Sequence, residues 1–229
     1  MTSSSSSTPA ANSSAASPAN EEESQEEYEV FVMKQDFKFH CAHFVAFKGY
    51  RERLHGHNYT VGVRMRGAGR GHDGYLIDFG DIKRVTRSLC KELNERFICP
   101  TRSDVIQIES DETSTSLLCE DGARFVFPTG DCAMLPVVHS TAEELAQYLW
   151  HRLTTTFSLE GLLARGIHTL QIIVAEAPRQ EGSYTRKLTS PPPLCFEEDK
   201  ERGRVSRPRP CIHAVEEDGK DIDGEDLDM

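Results

Sequence analysis

Within residues 55–67, HGHNYTVGVRMRG, Tyr59, Val61, Val63 and Met65 stand two apart, with Thr60, Gly62, Arg64 and Arg66 between them. Side chains of a strand alternate between its two faces, so residues 58–67 predict a strand that is apolar on one side and polar on the other. His55 and His57, two apart at the head of this run, point to a common side if the strand begins there. A strand of this kind needs partners at both edges and a cover for its apolar face.

The flanking sequence supplies both. Residues 28–39 (YEVFVMKQDFKF) open with β-rich alternation and predict an earlier strand. Residues 67–74 (GAGRGHDG) form a glycine-rich turn. The two strands are expected to pair as a long antiparallel hairpin with the loop 40–57 at one end. A helix follows, capped by Asp78, with Ile82, Val85, Leu89, Leu93 and Phe97 recurring at helical spacing until Pro100 ends it. Residues 105–127 predict short strands around the turn Glu120-Asp121-Gly122. Ser140 to Glu143 has the form of a capping box, in which Ser140 caps and Glu143 reaches back. The helix it opens presents Leu145, Leu149, Trp150 and Leu153, and Gly161 and Gly166 bracket its exit. A last strand spans residues 167–176. This order predicts an α+β domain, an antiparallel sheet with two helices on one face and a small β insertion.

Charge and composition divide the chain in three. Residues 1–27 hold Ser, Ala, Pro, Asn and five acids, with no basic residue. They have almost nothing to bury, and a disordered tail is expected. Residues 190–229 hold twelve acids and six bases and predict a second disordered, acidic tail. Of the chain's 37 acids and 26 bases, that leaves twenty of each in residues 28–189. The net charge of −11 therefore belongs to the tails, and a neutral central domain gives no case for nucleic-acid binding. No stretch reaches membrane-span length. Seven cysteines, an odd number without a CxxC pair, together with the lack of a recognisable export signal, predict reduced thiols and a cytoplasmic protein.

Several side chains carry possible chemistry. An HxH pair alone is a weak signal. His43, in FHCAHF, becomes a third member if the two strands pair. Three neutral imidazoles leave a tetrahedral zinc one open position, the pattern of catalytic sites. Glu52 lies three residues before His55. A loop acid between Arg51 and Arg53 is ordinarily solvated, but beside a metal it is a candidate general base. Glu176 closes IIVAE. A carboxylate there either meets water or grips a guanidine-like ring edge with its two oxygens, and spacing does not choose between these. His139, before the capping box, has its neutral form favoured by the helix dipole and is a candidate proton relay.

Taken in order, FHCAHF, RERLHGHNYTV, DGYLIDFGDIK, HSTAEELAQYLW and IIVAEAP resemble the 6-pyruvoyltetrahydropterin synthase family over roughly residues 29–187. The resemblance implies a tunnelling (T) fold assembled edge to edge as a homohexamer of two trimers. It implies zinc on His43, His55 and His57, and Glu176 as the anchor of a pterin ring, with Thr141 a further candidate substrate contact. The implied substrate is 7,8-dihydroneopterin triphosphate. The implied reaction eliminates triphosphate to give 6-pyruvoyltetrahydropterin, the precursor of tetrahydrobiopterin.

The sequence departs from the family pattern twice. No cysteine stands between Ala42 and His57, where the family usually places its base. Glu52 occupies that loop instead, in the R-E-x-L-H-G-H pattern of a branch associated with cleaving the same substrate to 6-hydroxymethyl-7,8-dihydropterin, a folate precursor. The family's Leu-Asp-His relay segment reads Leu93-Asn94-Glu95, so Glu95 and His139 are the candidates for moving protons. Lys48, Arg51 and Arg53 are candidates for the triphosphate. A non-catalytic zinc- or pterin-binding homologue and a 6-carboxytetrahydropterin synthase are the competing expectations. The missing loop cysteine counts against the latter.

Overall fold

In a computed structural model, residues 26–189 are described, together with the backbone of two short paired strands, Leu194–Cys195 and Arg209–Pro210. The expected tails otherwise lie outside the described residues. Eleven strands, β1 to β11, and three helices, α1 to α3, build the domain. In chain order the first are β1 (Tyr28–His43), β2 (Ala46–Phe47), β3 (Tyr50–Arg51), β4 (His55–Gly67), α1 (Phe79–Leu93), β5 (Arg96–Pro100), β6 (Ile106–Ser110), β7 (Ser114–Cys119) and β8 (Arg124–Pro128). After them come β9 (Cys132–Leu135), α2 (Ala142–Phe157), α3 (Leu159–Ala164), β10 (Ile167–Ala177) and β11 (Gln180–Lys187). The main sheet runs β11-β10-β4-β1-β5-β9.

The predicted hairpin is present: β1 and β4 pair antiparallel from Tyr28↔Gly67 to His43↔His55. Its apolar face is Tyr59, Val61, Val63 and Met65, all buried. The register breaks between Met33 and Lys38, where β1 carries extra residues. That break decides the site. Val30 and Val32 lie opposite Met65 and Val63, whereas Phe39, Cys41 and His43 lie opposite Tyr59, His57 and His55. Even positions of β1 share the face before the bulge and odd positions share it after. An unbroken strand would send His43 to the far side. Arg87 on α1 pins the bulge through Asp36 at 2.6 Å and sits over the buried Phe37 ring.

The sheet is mixed, because β5 joins β1 and β9 joins β5 in parallel. These additions follow from an early end to α1. Asp78 caps the helix through Gly80 N, as expected, but the helix stops at Leu93, not at Pro100. Asn94 is extended and its Oδ1 accepts from His40 N at 2.9 Å. Glu95 takes φ +60° and donates its N–H to His40 O. The chain thereby turns onto β1, and Phe97 is a strand residue. The α2 cap also shifts by one residue. Thr141 caps by accepting from Glu144 N, and Glu144 reaches back to the N–H groups of Val138 and His139. Ser140 is unavailable for that role because its hydroxyl donates to Phe44 O and meets His43.

Two hydrophobic clusters result. The larger lies between α1, α2 and the β1-β4-β10 face, and Trp150 within it donates to Leu170 O at 3.0 Å. The smaller joins the inserted three-stranded sheet β6-β7-β8 to the main domain through Phe44, Phe97, Leu117 and their neighbours. The insertion matches the strands predicted around Glu120-Asp121-Gly122.

Candidate active site

Three strands deliver polar side chains to one end of the core-facing surface. His43 and His55 are cross-strand partners, and His57 lies opposite Cys41. Leu170, Ile172 and Val174 put β10's alternate residues in the core, and Glu176 has the same parity. It falls in the bulge where β10 and β11 lose register between Ala175 and Ala177, which frees its side chain from the ladder.

The candidate ligand nitrogens of His43, His55 and His57 all lie within 4.8 Å of one another. The ring surroundings suit a metal. His43 Nδ1 is 3.0 Å from Ser140 O and His55 Nδ1 is 2.7 Å from Arg53 O. A carbonyl can only accept, so each Nδ1 carries the proton and each Nε2 presents its lone pair. Burial lowers the pKa of His43, and the neighbouring His55 and His57 lower it further, which keeps its imidazole neutral. Three imidazoles at this spacing fit a divalent ion with an open coordination position.

The histidines line a cavity of about 340 Å³ together with Val45, Glu52, Thr141, Glu143, Glu176 and Glu181. Glu52 is held at its mouth by a two-way exchange with Val45: Glu52 N donates to Val45 O, and Glu52 Oε2 accepts from Val45 N, both at 2.9 Å. Its second oxygen remains for other chemistry. Glu176 Oε1 accepts from the Tyr59 hydroxyl at 3.2 Å, and that hydroxyl is also 3.2 Å from His43 Nε2. Burial raises the Tyr59 pKa, so the phenol keeps its proton and donates. Gly182 sits under the start of α2, where a Cβ would meet Ala142 Cβ and Glu143 N at 2.9 Å. This close approach brings the first turn of α2 down onto the cavity.

Thus Glu52, Glu176, Thr141 and the three histidines come together. Glu95 and His139 do not line this cavity. Glu95 is exposed on a separate depression that shares only His57 with it. His139 packs behind the α2 cap, its Nδ1 buried without a hydrogen-bond partner. The three basic candidates for the triphosphate are also absent from the wall. Arg51 is engaged by Asp121 at 2.8 Å, and Lys48 lines another cavity beside the insertion. Sequence reasoning missed Glu143 and Glu181. Glu143 is marked only as a capping-box residue and Glu181 by no motif, and they reach the wall because α2 and β11 begin there. Cys41, opposite His57 in the hairpin, is part of the core, and burial and then Glu176 push its pKa up to about 12.

An α+β domain with a mixed sheet and a histidine trio able to hold a metal beside cavity carboxylates matches solved structures of the tunnelling-fold class. The chain belongs to the 6-pyruvoyl tetrahydropterin synthase family, whose profile matches residues 32–187. It is 39% identical to a Plasmodium vivax 6-pyruvoyltetrahydropterin synthase in which a catalytic glutamate is replaced by alanine. That match covers 71% of this chain and 99% of the other, with a TM-score of 0.68. The Plasmodium falciparum 6-pyruvoyl tetrahydropterin synthase is 40% identical over 70% of this chain and 98% of its own, with a TM-score of 0.68. A Methanocaldococcus jannaschii protein, provisionally described as a 6-carboxy-5,6,7,8-tetrahydropterin synthase, is 27% identical over 135 residues. These are 59% of this chain and 81% of that protein. The family is one of lyases that process small pterins.

Proposed function

We propose that this chain is a zinc-dependent lyase acting on 7,8-dihydroneopterin triphosphate, eliminating triphosphate to give 6-pyruvoyltetrahydropterin on the route to tetrahydrobiopterin. The observation that carries this reading is the convergence of His43, His55 and His57 on one cavity with Glu52 and Glu176 in its wall. Glu176 presents a carboxylate, oriented by Tyr59, to the paired N–H donors of the pterin ring edge. Zinc on the three imidazoles would supply a Lewis acid that acidifies the substrate's side chain and stabilises developing negative charge. Glu52 removes a proton from side-chain carbon in each of two stages. One electron pair expels triphosphate with the C–O electrons, and the other passes into the ring's N5=C6 bond. The ring is thereby reduced from dihydro to tetrahydro as the two side-chain carbinols become carbonyls, and no outside oxidant is needed.

A second reading rests on Glu52 itself. Among the described residues no cysteine lines the cavity, and a carboxylate differs from a thiolate in pKa and reach, so side-chain cleavage to 6-hydroxymethyl-7,8-dihydropterin competes with elimination. Zinc-loaded protein incubated with dihydroneopterin triphosphate tests both. Inorganic triphosphate with 6-pyruvoyltetrahydropterin supports the first, and the hydroxymethyl product supports the second. Bound but unaltered substrate would leave a non-catalytic binding protein and sink both. Among the described residues β9 and β11 are the outer strands of the main sheet, which agrees with edge-to-edge assembly into a hexamer of two trimers, measurable by sedimentation. No helix among the described residues is long and apolar enough to cross a membrane. The reading of the chain's cysteines as reduced thiols supports a cytoplasmic location.

A further inference from the structure

Glu52 sits on a loop with few contacts of its own. Residues 44–54 contain one hairpin of two-residue strands, β2 and β3, with Phe47 and Tyr50 about half exposed at its tip. Isolated hairpins are marginal in water, and this one is far shorter than a typical strand pair. What holds it is the inserted sheet β6-β7-β8, chiefly through the turn between β7 and β8. Glu120 Oε2 accepts from Gly49 N at 2.8 Å. Asp121 Oδ2 accepts from Arg51 Nε at 2.8 Å, while Asp121 Oδ1 is fixed by Ala123 N at 3.0 Å. The Arg51 guanidinium lies 5.6 Å from the Phe44 ring centroid and 5.4 Å from that of Phe125. It also donates from NH1 to Glu52 O at 2.8 Å. The Arg51 side chain is only 19% exposed, so this pair is screened less than an ion pair in open water.

These contacts form one continuous path: insertion turn, Asp121, Arg51, Glu52 backbone, Glu52 carboxylate, Val45. We propose that the inserted sheet is a clamp for the loop bearing the base, with Arg51 and Asp121 as positioning residues for the Glu52 carboxylate. The assignment rests on the reading of Glu52 as base given above. Arg51 is thereby turned to positioning: its Nε and NH1 donate to Asp121 and the Glu52 carbonyl, and it does not line the cavity. A lysine offers no planar fork to reach both acceptors at once.

The test uses the full chain loaded with zinc. Asp121→Asn keeps an oxygen for Ala123 N while removing the charge, and Arg51→Gln removes the fork. Misplacing a reacting group by an ångström costs up to about a hundredfold, so a loosened loop is expected to lower kcat roughly tenfold in either variant. KM and zinc content stay within about twofold, because the histidines and Glu176 are untouched. Arg51→Lys is expected to fall between wild type and Arg51→Gln. Arg84→Gln, which breaks an exposed ion pair on α1, should leave kcat unchanged. Amide exchange gives a readout free of turnover: the Glu52 N–H, bonded to Val45 O, should exchange faster in Asp121→Asn while the amides of β4 keep their rates. Unchanged kcat in both variants of an active wild type, unchanged Glu52 exchange, or uniform acceleration across β4 overturns the clamp. If the wild type does not turn over the pterin, the proposed reaction fails, and the exchange experiment still decides the clamp.

Discussion

One face of three strands has two ends that differ in everything but backbone geometry. At one end β1, β4 and β10 offer Val32, Val63, Met65, Leu170 and Ile172 to the helices, and all are buried. At the other end the same face, continued without a break along β4 and β10 and after a change of phase along β1, offers His43, His55, His57 and Glu176. The apolar end lies beneath the bodies of α1 and α2. At the polar end α2 is only beginning, and the face opens into the cavity. The face is thus laid down once by strand pairing, and the edge of its cover decides where core becomes site. The two ends should therefore respond oppositely to truncation.

The largest effect is expected from His57→Ala. Removing one of three ligands should abolish stoichiometric zinc binding and lower turnover by roughly a thousandfold or more, since the metal contributes several kcal/mol of charge stabilisation. The melting temperature of the metal-free protein should move by no more than a few degrees, because His57 contributes little buried apolar area. A collapse of the metal-free fold in calorimetry would put His57 in the core end and break the comparison. The reverse pattern belongs to Phe39, two residues from Cys41 on the same face and fully inaccessible. Phe39→Ala should cost about 3–5 kcal/mol and lower the melting midpoint by on the order of 10 °C. Zinc stoichiometry measured well below that midpoint should be intact.

The sequence showed this face more clearly than it showed where the face turns. The alternation from Tyr59 to Met65 is legible because burial on one side imposes period two on residue choice. His55, His57 and Glu176 are legible in the same way, as polar residues at the end of apolar strands. The bulge at Met33–Lys38 is not, since the exposed Phe31 and Met33 are apolar as well and hide the change of phase, yet it brings His43 to the ligand face. The α1 terminus was misread because Phe97 continues the helical spacing, while the competing event, Asn94 and Glu95 bonding to His40, is a tertiary contact. The Ser140 cap was misread for the same reason: its hydroxyl is claimed by Phe44 and His43. Glu143 and Glu181 enter the wall through packing of α2 on β11, which no local pattern encodes.

A third prediction sharpens the core end by pH. Burial raises the pKa of Cys90 and of Cys99 to about 12. Unfolded thiols titrate near 8.5. Between these values the folded chain holds protons that the unfolded chain releases, so stability is fully present below about pH 8.5 and falls as pH rises toward about 12. The denaturant midpoint should be lower at pH 9.5 than at pH 7.5. The drop should shrink in a Cys90→Ala, Cys99→Ala double variant, compared with its own midpoint at pH 7.5. An equal drop in both proteins would mean that other groups carry the alkaline dependence.

The smallest effect falls on Tyr59, which stands at the border. Its ring stacks on Phe39 with centroids 5.0 Å apart and so belongs to the core. Its hydroxyl, between His43 Nε2 and Glu176 Oε1, belongs to the site. Tyr59→Phe keeps the first set of contacts and deletes the second. The lost hydrogen bond is worth about 1 kcal/mol, which corresponds to a rise of roughly fivefold in KM for the pterin as Glu176 loses its orienting donor. kcat should be nearly unchanged, since Glu52 is untouched. The melting temperature should stay within about 2–4 °C of wild type, because only about 1 kcal/mol is at stake. A KM equal to wild type would show that Glu176 holds its position without Tyr59. A thermal loss as large as that of Phe39→Ala would show that the hydroxyl serves the core, and the border would have to be redrawn between Tyr59 and His57.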